Sequence, residues 1–212
     1  MSVFLESMRS EYSKAGLRRS ELHDDPMEQF QIWMKAAVDQ KIHEPNAMTL
    51  ATVDSHGMPN ARIVLLKGAD ARGFSFYTNQ QSTKGLELAN HPFAALVFLW
   101  KEMERQVRIR GSVSKLPRSD VQAYFSTRPR GSRLGAWVSR QSSVIADRTT
   151  METRLAELER EYPADVPVPE EWGGYSLAPT ELEFWQGRPN RLHDRFRYRL
   201  ASNAWVIERL SP

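Results

Sequence analysis

Apolar positions recur along this chain with two different periods. Between residues 26 and 42, Phe30, Trp33, Met34, Ala37 and Val38 fall at helical spacing behind Asp25-Pro26. An N-cap followed by proline at the first helical position predicts an amphipathic helix there. The period then drops to two. Residues 47–53 and 61–66 alternate on either side of Asp54-Ser55-His56-Gly57, which predicts a β-hairpin. A strand at 73–77, a short helix over 83–90 stopped by Asn90-His91-Pro92, and a buried strand at 93–100 follow. Residues 105–111 alternate strictly, with Arg105, Val107 and Ile109 on one side and Gln106, Arg108 and Arg110 on the other. Polar groups on both sides predict a strand beside a site. Helices at 118–127, 130–138 and 147–162, a proline-bounded loop at 163–169 and strands around 176–185, 194–198 and 204–208 complete the chain. Antiparallel strands with helices inserted between them, rather than strict β-α-β alternation, predict a mainly antiparallel α+β domain of β-barrel type.

Length and composition narrow the choices. A chain of 212 residues suits one domain of generous size or one domain with appended helices. No apolar run approaches the roughly 18 residues of a membrane span, and the N-terminus has no basic stretch ahead of an apolar block, so no membrane association and a cytoplasmic location are expected. The absence of cysteine excludes disulfides, a thiolate nucleophile and a Cys-ligated metal. The five histidines, at 23, 43, 56, 91 and 193, include no His-x-x-x-His pair, so no metal site is expected. The formal charge is only +3, but arginines gather at 105–110, 128–133 and 188–199. Guanidinium forks suit phosphate and carboxylate oxygens. Glu102, Glu104, Asp120 and Asp194 break each cluster, which argues against a continuous nucleic-acid stripe.

Several segments concentrate the chemistry. Phe184 to Arg195 brings tryptophan, histidine and several arginines together; on an extended segment Arg191, His193 and Arg195 would share a face fit for a planar anion, unless the segment is a solvated basic edge strand. Arg62-Ile63-Val64-Leu65-Leu66-Lys67 places cations at both ends of an apolar strand, on opposite faces if the strand is regular; it runs between two bound groups or is a core strand with solvated ends. Tyr124 and Arg128 lie four apart on a helical face, and Pro129 begins a second helix with its exposed amides near Ser132, the outline of a phosphate cradle or of a helix-loop-helix with basic caps. Tyr77-Thr78 and Thr83-Lys84 add hydroxyl and amine donors near a strand-to-helix connection, or simply cap a loop, and Gln141-Ser142-Ser143, after an apolar turn, is a run of amide and hydroxyl donors that is a weak signal by itself. No nucleophile, carboxylate pair or metal motif competes with these, so demanding chemistry would come from a bound cofactor.

Together these segments resemble the pyridoxine/pyridoxamine 5′-phosphate oxidase family. The likeness rests on Arg62 to Lys67, Phe76-Tyr-Thr-Asn79, Glu104-Arg-Gln-Val107, Tyr124 to Pro129, Gly135-Ala-Trp-Val138, Gln141-Ser-Ser143, Trp172-Gly-Gly174, Phe184-Trp-Gln-Gly187 and Arg191 to Arg195, in family order. It implies an FMN-binding split β-barrel with surrounding helices, assembled as a homodimer with FMN at the interface. Residues 1–25 would form an N-terminal lid and 26–212 the barrel domain, with its C-terminal dimerisation and active-site region. By the same resemblance, Arg62, Ile63, Val64, Leu65, Leu66, Lys67, Tyr77, Thr78, Lys84, Gln106, Gln141, Ser142, Trp185 and Arg195 match flavin positions. Lys67, Tyr124, Arg128 and Ser132 match the substrate-phosphate cradle, Arg191, Leu192 and His193 the residues over the pyridine ring, and Arg9 and Tyr12 the closing segment. Arg191 and His193 would be the catalytic pair. Thr83 departs from the family, which often has an arginine before the lysine.

The implied activity is oxidation of pyridoxamine or pyridoxine 5′-phosphate to pyridoxal 5′-phosphate, by hydride transfer from C4′ to flavin N5, with oxygen as acceptor and hydrogen peroxide as product. The alternative is a related split-barrel protein that binds flavin without oxidising vitamin B6.

Overall fold

The computed structural model describes residues 11–14 and 16–212. Helix α1 (Pro26–Asp39) begins where the sequence places it, with the Asp25 carboxylate accepting the Met27 N–H at 2.8 Å. The strands are β1 (Ala47–Val53), β2 (Pro59–Leu65), β3 (Gly68–Asp70), β4 (Gly73–Asn79), β5 (Phe93–Trp100), β6 (Arg105–Lys115), β7 (Trp172–Gln186), β8 (Asp194–Ala201) and β9 (Ala204–Leu210). Helices α2 (Thr83–Asn90), α3 (Arg118–Thr127), α4 (Arg130–Val138) and α5 (Arg148–Glu161) lie between them. Hydrogen bonds link the strands in the order β2-β1-β5-β6-β7-β4-β3, with β8 on β7 and β9 on β8. Of the strands among the described residues, β3 is the one absent from the sequence reading, being too short to carry a period.

The chain divides into two compact units, and β1, β5, β6 and β7 each run from one to the other. The unit made of the residues up to Leu50 with 95–111 and 179–212 has an aromatic core. Phe30 meets Phe98 at 5.1 Å between ring centroids and Trp33 meets Phe184 at 5.2 Å, edge to face. In the other unit, residues 51–94 and 112–178, Phe76 stacks on Tyr175 at 5.6 Å. The length of β7 follows from its pairing: Trp172 to Leu177 faces β4, whereas Glu181 to Gln186 faces β8. Pro179, between the two ladders, has no N–H to give to either.

Alternation sets what β6 presents. Val107 and Ile109 are fully buried while Arg108 and Arg110 reach solvent. Arg105 departs from the surface role of its neighbours: its guanidinium lies 4.4 Å from the Trp33 ring centroid and its Nε donates to Gln186 at 2.8 Å. Burial lowers its pKa, though it stays charged. No helix among the described residues is long and apolar enough to cross a membrane.

Candidate active site

In the unit formed by residues 51–94 and 112–178, a cavity of about 880 Å³ opens beside the end of β2, within the size range of cofactor sites. Arg62, Ile63, Val64, Leu65 and Lys67 all line it. Strict alternation along a regular strand would have put Arg62 and Lys67 on opposite faces. The strand ends at Leu65, and the Lys67 N–H turns to the Ser75 carbonyl at 2.8 Å, so both cations reach one cavity. Leu66 is buried and outside the lining.

Arg62 is held by groups that sequence reasoning missed. Glu87, buried on α2, accepts from its Nη2 at 2.9 Å and from Asn60 Nδ2 at 2.9 Å; the Thr52 hydroxyl donates to the same carboxylate and accepts from Arg62 Nη1. Burial alone would push the Glu87 carboxyl up, but hydrogen bonds from Thr52, Asn60 and Arg62 outweigh it and leave the pKa lowered. The carboxylate therefore stays ionised and aims the guanidinium. Only the helical phase of Glu87 beside Leu88 hinted at its burial.

At the start of α2, the Ser82 hydroxyl caps the helix by accepting from the Gly85 N–H. Lys84 is buried and donates to Thr78 Oγ1 at 3.2 Å, Ser82 Oγ at 3.2 Å and Gln141 Oε1 at 3.0 Å. Burial and then the nearby Arg62 charge lower its pKa. Thr78 donates to Gln141 as well, at 2.9 Å. The Ser142 hydroxyl accepts the Thr83 N–H at 3.3 Å, and Ser142 itself is exposed outside the cavity lining. The scattered donors around Thr78, Lys84 and Gln141 thus converge through one ammonium.

The opposite wall is aromatic. Tyr77 stacks on Tyr124 at 4.1 Å and on Trp172 at 5.5 Å, with interplanar angles of 16° and 7°. Lys67 Nζ lies 5.9 Å from the Tyr124 ring centroid, and the Arg128 guanidinium 4.8 Å from that of Trp172. Burial lowers the Arg128 pKa, and among the described residues its buried Nη1 has no hydrogen-bond partner. A buried donor of this kind calls for an acceptor. Ser132 and Pro129 line the cavity too, but the Ser132 amide already donates to the Pro129 carbonyl at 2.9 Å. Ser132 itself therefore offers the cavity its hydroxyl rather than its amide.

The remaining candidates lie in the unit containing 95–111 and 179–212. Trp185, on β7, and His193 lie 4.6 Å apart, and Tyr12 meets both edge-on, at 5.5 and 5.4 Å. The shared strand face expected for Arg191, His193 and Arg195 does not form. Residues Pro189–Arg191 make a 3-10 turn, Asn190 and Arg191 have φ of 56° and 61°, and β8 begins only at Asp194. Arg191 and Leu192 are exposed. His193 Nδ1 accepts the Arg188 N–H at 3.1 Å, so the neutral ring carries its proton on Nε2. Burial, then the Arg191 charge, lowers its pKa and favours that neutral ring. Arg195 is committed to Glu183 at 2.8 Å and to the Ser211 carbonyl at 2.8 Å. Gln106 is half-buried on β6, and Arg9 lies outside the described residues.

Residues 34–161 match the family described as pyridoxamine 5′-phosphate oxidase, and residues 172–212 match the pyridoxine 5′-phosphate oxidase C-terminal dimerisation region. The chain belongs to the pyridoxamine 5′-phosphate oxidase family. It is 55% identical to a pyridoxine/pyridoxamine 5′-phosphate oxidase from Cyanothece sp. over the whole of both chains. It is 54% identical to the oxidase of that name from Salinibacter ruber, covering 98% of this chain and 99% of the relative. A crystal structure of PhzG from Burkholderia lata, in complex with tetrahydrophenazine-1-carboxylic acid, superposes with a TM-score of 0.90 at 29% identity, covering 96% of this chain and 100% of that one. The oxidase therefore has the split-barrel fold that the family resemblance implied, and it is an enzyme.

Proposed function

We propose that this oxidase converts pyridoxine and pyridoxamine 5′-phosphates to pyridoxal 5′-phosphate with FMN as cofactor and oxygen as electron acceptor. The observation that carries the reading is the Arg128 guanidinium, partly buried against Trp172 with its buried Nη1 unpartnered among the described residues, in a cavity shared with Lys67, Tyr124 and Ser132. That donor set suits the phosphate of a substrate. The chemistry of the other end, Arg62, Lys84, Thr78 and Gln141, suits the phosphate and polar edges of a flavin. Bound FMN would supply the acceptor for a hydride from C4′ and then reduce oxygen to hydrogen peroxide.

The chain's own part is to bind and orient. Arg128 and Lys67 clamp the phosphate, Tyr77 and Tyr124 form a flat wall, and Glu87 fixes the direction of Arg62. Neutral His193 offers Nε2–H as a donor, and exposed Arg191 supplies positive charge beside the reacting carbon. Trp185 and Arg195 complete the flavin site in a homodimer that holds FMN at its interface. The dimerisation region at 172–212 and the exposed apolar side chains of Met58, Ile63 and Phe93 support that assembly.

Purified protein mixed with FMN should turn yellow, quench flavin fluorescence, and consume oxygen when either phosphorylated vitamer is added. Flavin binding without oxygen consumption would leave a binding protein; no flavin binding at all would remove the proposal.

A further inference from the structure

The motif Glu104-Arg-Gln-Val107 contributes a glutamate that the proposed reaction does not use, and the structure gives it a partner far away in sequence. Residues 11–14 and 16–18 form no helix or strand, so their amides must find acceptors elsewhere or stay with water. The Ser13 N–H donates to both oxygens of the Glu104 carboxylate at 3.1 Å, and the Lys14 N–H to one of them at 3.0 Å. A few residues on, the Leu17 N–H donates to Asp194 Oδ2 at 3.0 Å while Arg209 Nη2 donates to the Leu17 carbonyl at 3.4 Å. Asp194 and Arg209 are themselves paired at 2.7 Å. The segment is gripped at two points by carboxylates, and Tyr12, immediately before the first grip, lies edge-on against Trp185 and His193.

Glu104 is built for this. It ends the 3-10 turn Lys101–Met103 in the left-handed conformation, φ 53° and ψ 40°, and its carbonyl accepts the Gly187 N–H at 2.8 Å. One residue therefore fixes both the segment that carries Tyr12 and the end of β7 that carries Trp185. Gly187 keeps the space between them open: a Cβ there would sit 2.7 Å from Tyr12 Cδ1 and 3.0 Å from Glu104 Cβ.

We propose that Glu104 and Asp194 are positioning residues, latches that hold the Tyr12 segment down over Trp185 and His193. The proposal rests on the reading of Trp185 and His193 as site residues. Loss of the Glu104 carboxylate releases two charge-assisted hydrogen bonds from consecutive amides, so the segment opens and the ring wall over His193 is lost.

The test is amide hydrogen exchange on the FMN-loaded protein, read by mass spectrometry on peptides covering residues 11–18, together with steady-state kinetics. Glu104→Ala should speed exchange in 11–18 by about tenfold or more and raise KM by about tenfold, the loss of one or two charged hydrogen bonds, with kcat changed less than KM. Glu104→Gln, which keeps an acceptor oxygen, should fall between that variant and the unmodified protein. Gly187→Ala, which crowds Tyr12 and leaves the carboxylate in place, should raise KM in the same direction. Unchanged exchange in 11–18 for Glu104→Ala overturns the proposal. Faster exchange throughout β7 and β8 in both Glu104 variants overturns it too, since Glu104 would then support the fold rather than the segment. Exchange needs no turnover, so a failed latch leaves the oxidase reading standing, and an inactive unmodified protein leaves the latch measurable.

Discussion

Arg128 shows how one side chain acquires a role. On the surface its charge would be worth little; beside Trp172, partly dehydrated and with Nη1 unpaired, it is costly until an anion arrives. Arg128→Ala should therefore raise KM for both phosphorylated substrates by about 10- to 100-fold, the equivalent of 1.5–3 kcal/mol for a charged hydrogen bond, while kcat changes little. Equal losses in kcat and kcat/KM would instead assign Arg128 to the transition state. His193 makes a prediction in pH. Its pKa in the folded protein is depressed, by burial first and Arg191 second, so the unfolded chain takes up the proton first as pH falls. The stability contributed by the neutral ring is complete above about 6.5, the ordinary histidine value, and declines below it. The acid limb of kcat/KM should likewise lie below about 6.5 and vanish in His193→Ala; a limb that persists in the variant belongs to another group.

Among the elements, α2 does most to organise the cavity, since Lys84 and Glu87 both come from it. Its first turn presses on the preceding loop. A Cβ at Gly85 would sit 2.2 Å from the Gln80 carbonyl oxygen, which is backbone and cannot swing aside. Gly85→Ala should cost about 1–3 kcal/mol of stability, seen as a lower urea midpoint at unchanged slope, together with weaker flavin binding as Lys84 shifts. An unchanged midpoint would mean that the loop yields freely. Most element boundaries were legible in the sequence, α1 from its cap and proline, β6 from strict alternation, α3 and α4 from the proline between them. The short β3 and the long β7 were less so. β3 has three residues, and the extra length of β7 comes from serving two ladders in turn, a property of its partners.

For the whole molecule, a cofactor that binds the folded state alone adds its binding energy to stability. If FMN fills the proposed site, free flavin at about 100 times its dissociation constant should contribute about 2.7 kcal/mol. For a chain of this size that corresponds to about 5–10 °C in Tm. Calorimetry with FMN and with riboflavin separates the phosphate contribution: a shift of the same size with riboflavin would show that Lys84 and Arg62 do not meet a phosphate. If FMN lies at the homodimer interface, dilution that dissociates the dimer should also release flavin, which size-exclusion chromatography monitored in the visible would record.

The amino-acid sequence by itself determined the alternation of strands, the helix starts, the kinds of group available and the family, because periodicity, capping and ordered motifs are local properties. The tertiary structure decided which of those groups meet. Arg62 and Lys67 share a cavity because β2 stops at Leu65, whereas Arg191 and Arg195 do not share a strand face because a 3-10 turn with positive φ intervenes. Glu87 holds Arg62, and Glu104 holds the amides of Ser13 and Lys14, across separations of 25 and about 90 residues. Such pairings depend on where the chain returns in space, which no spacing along it records.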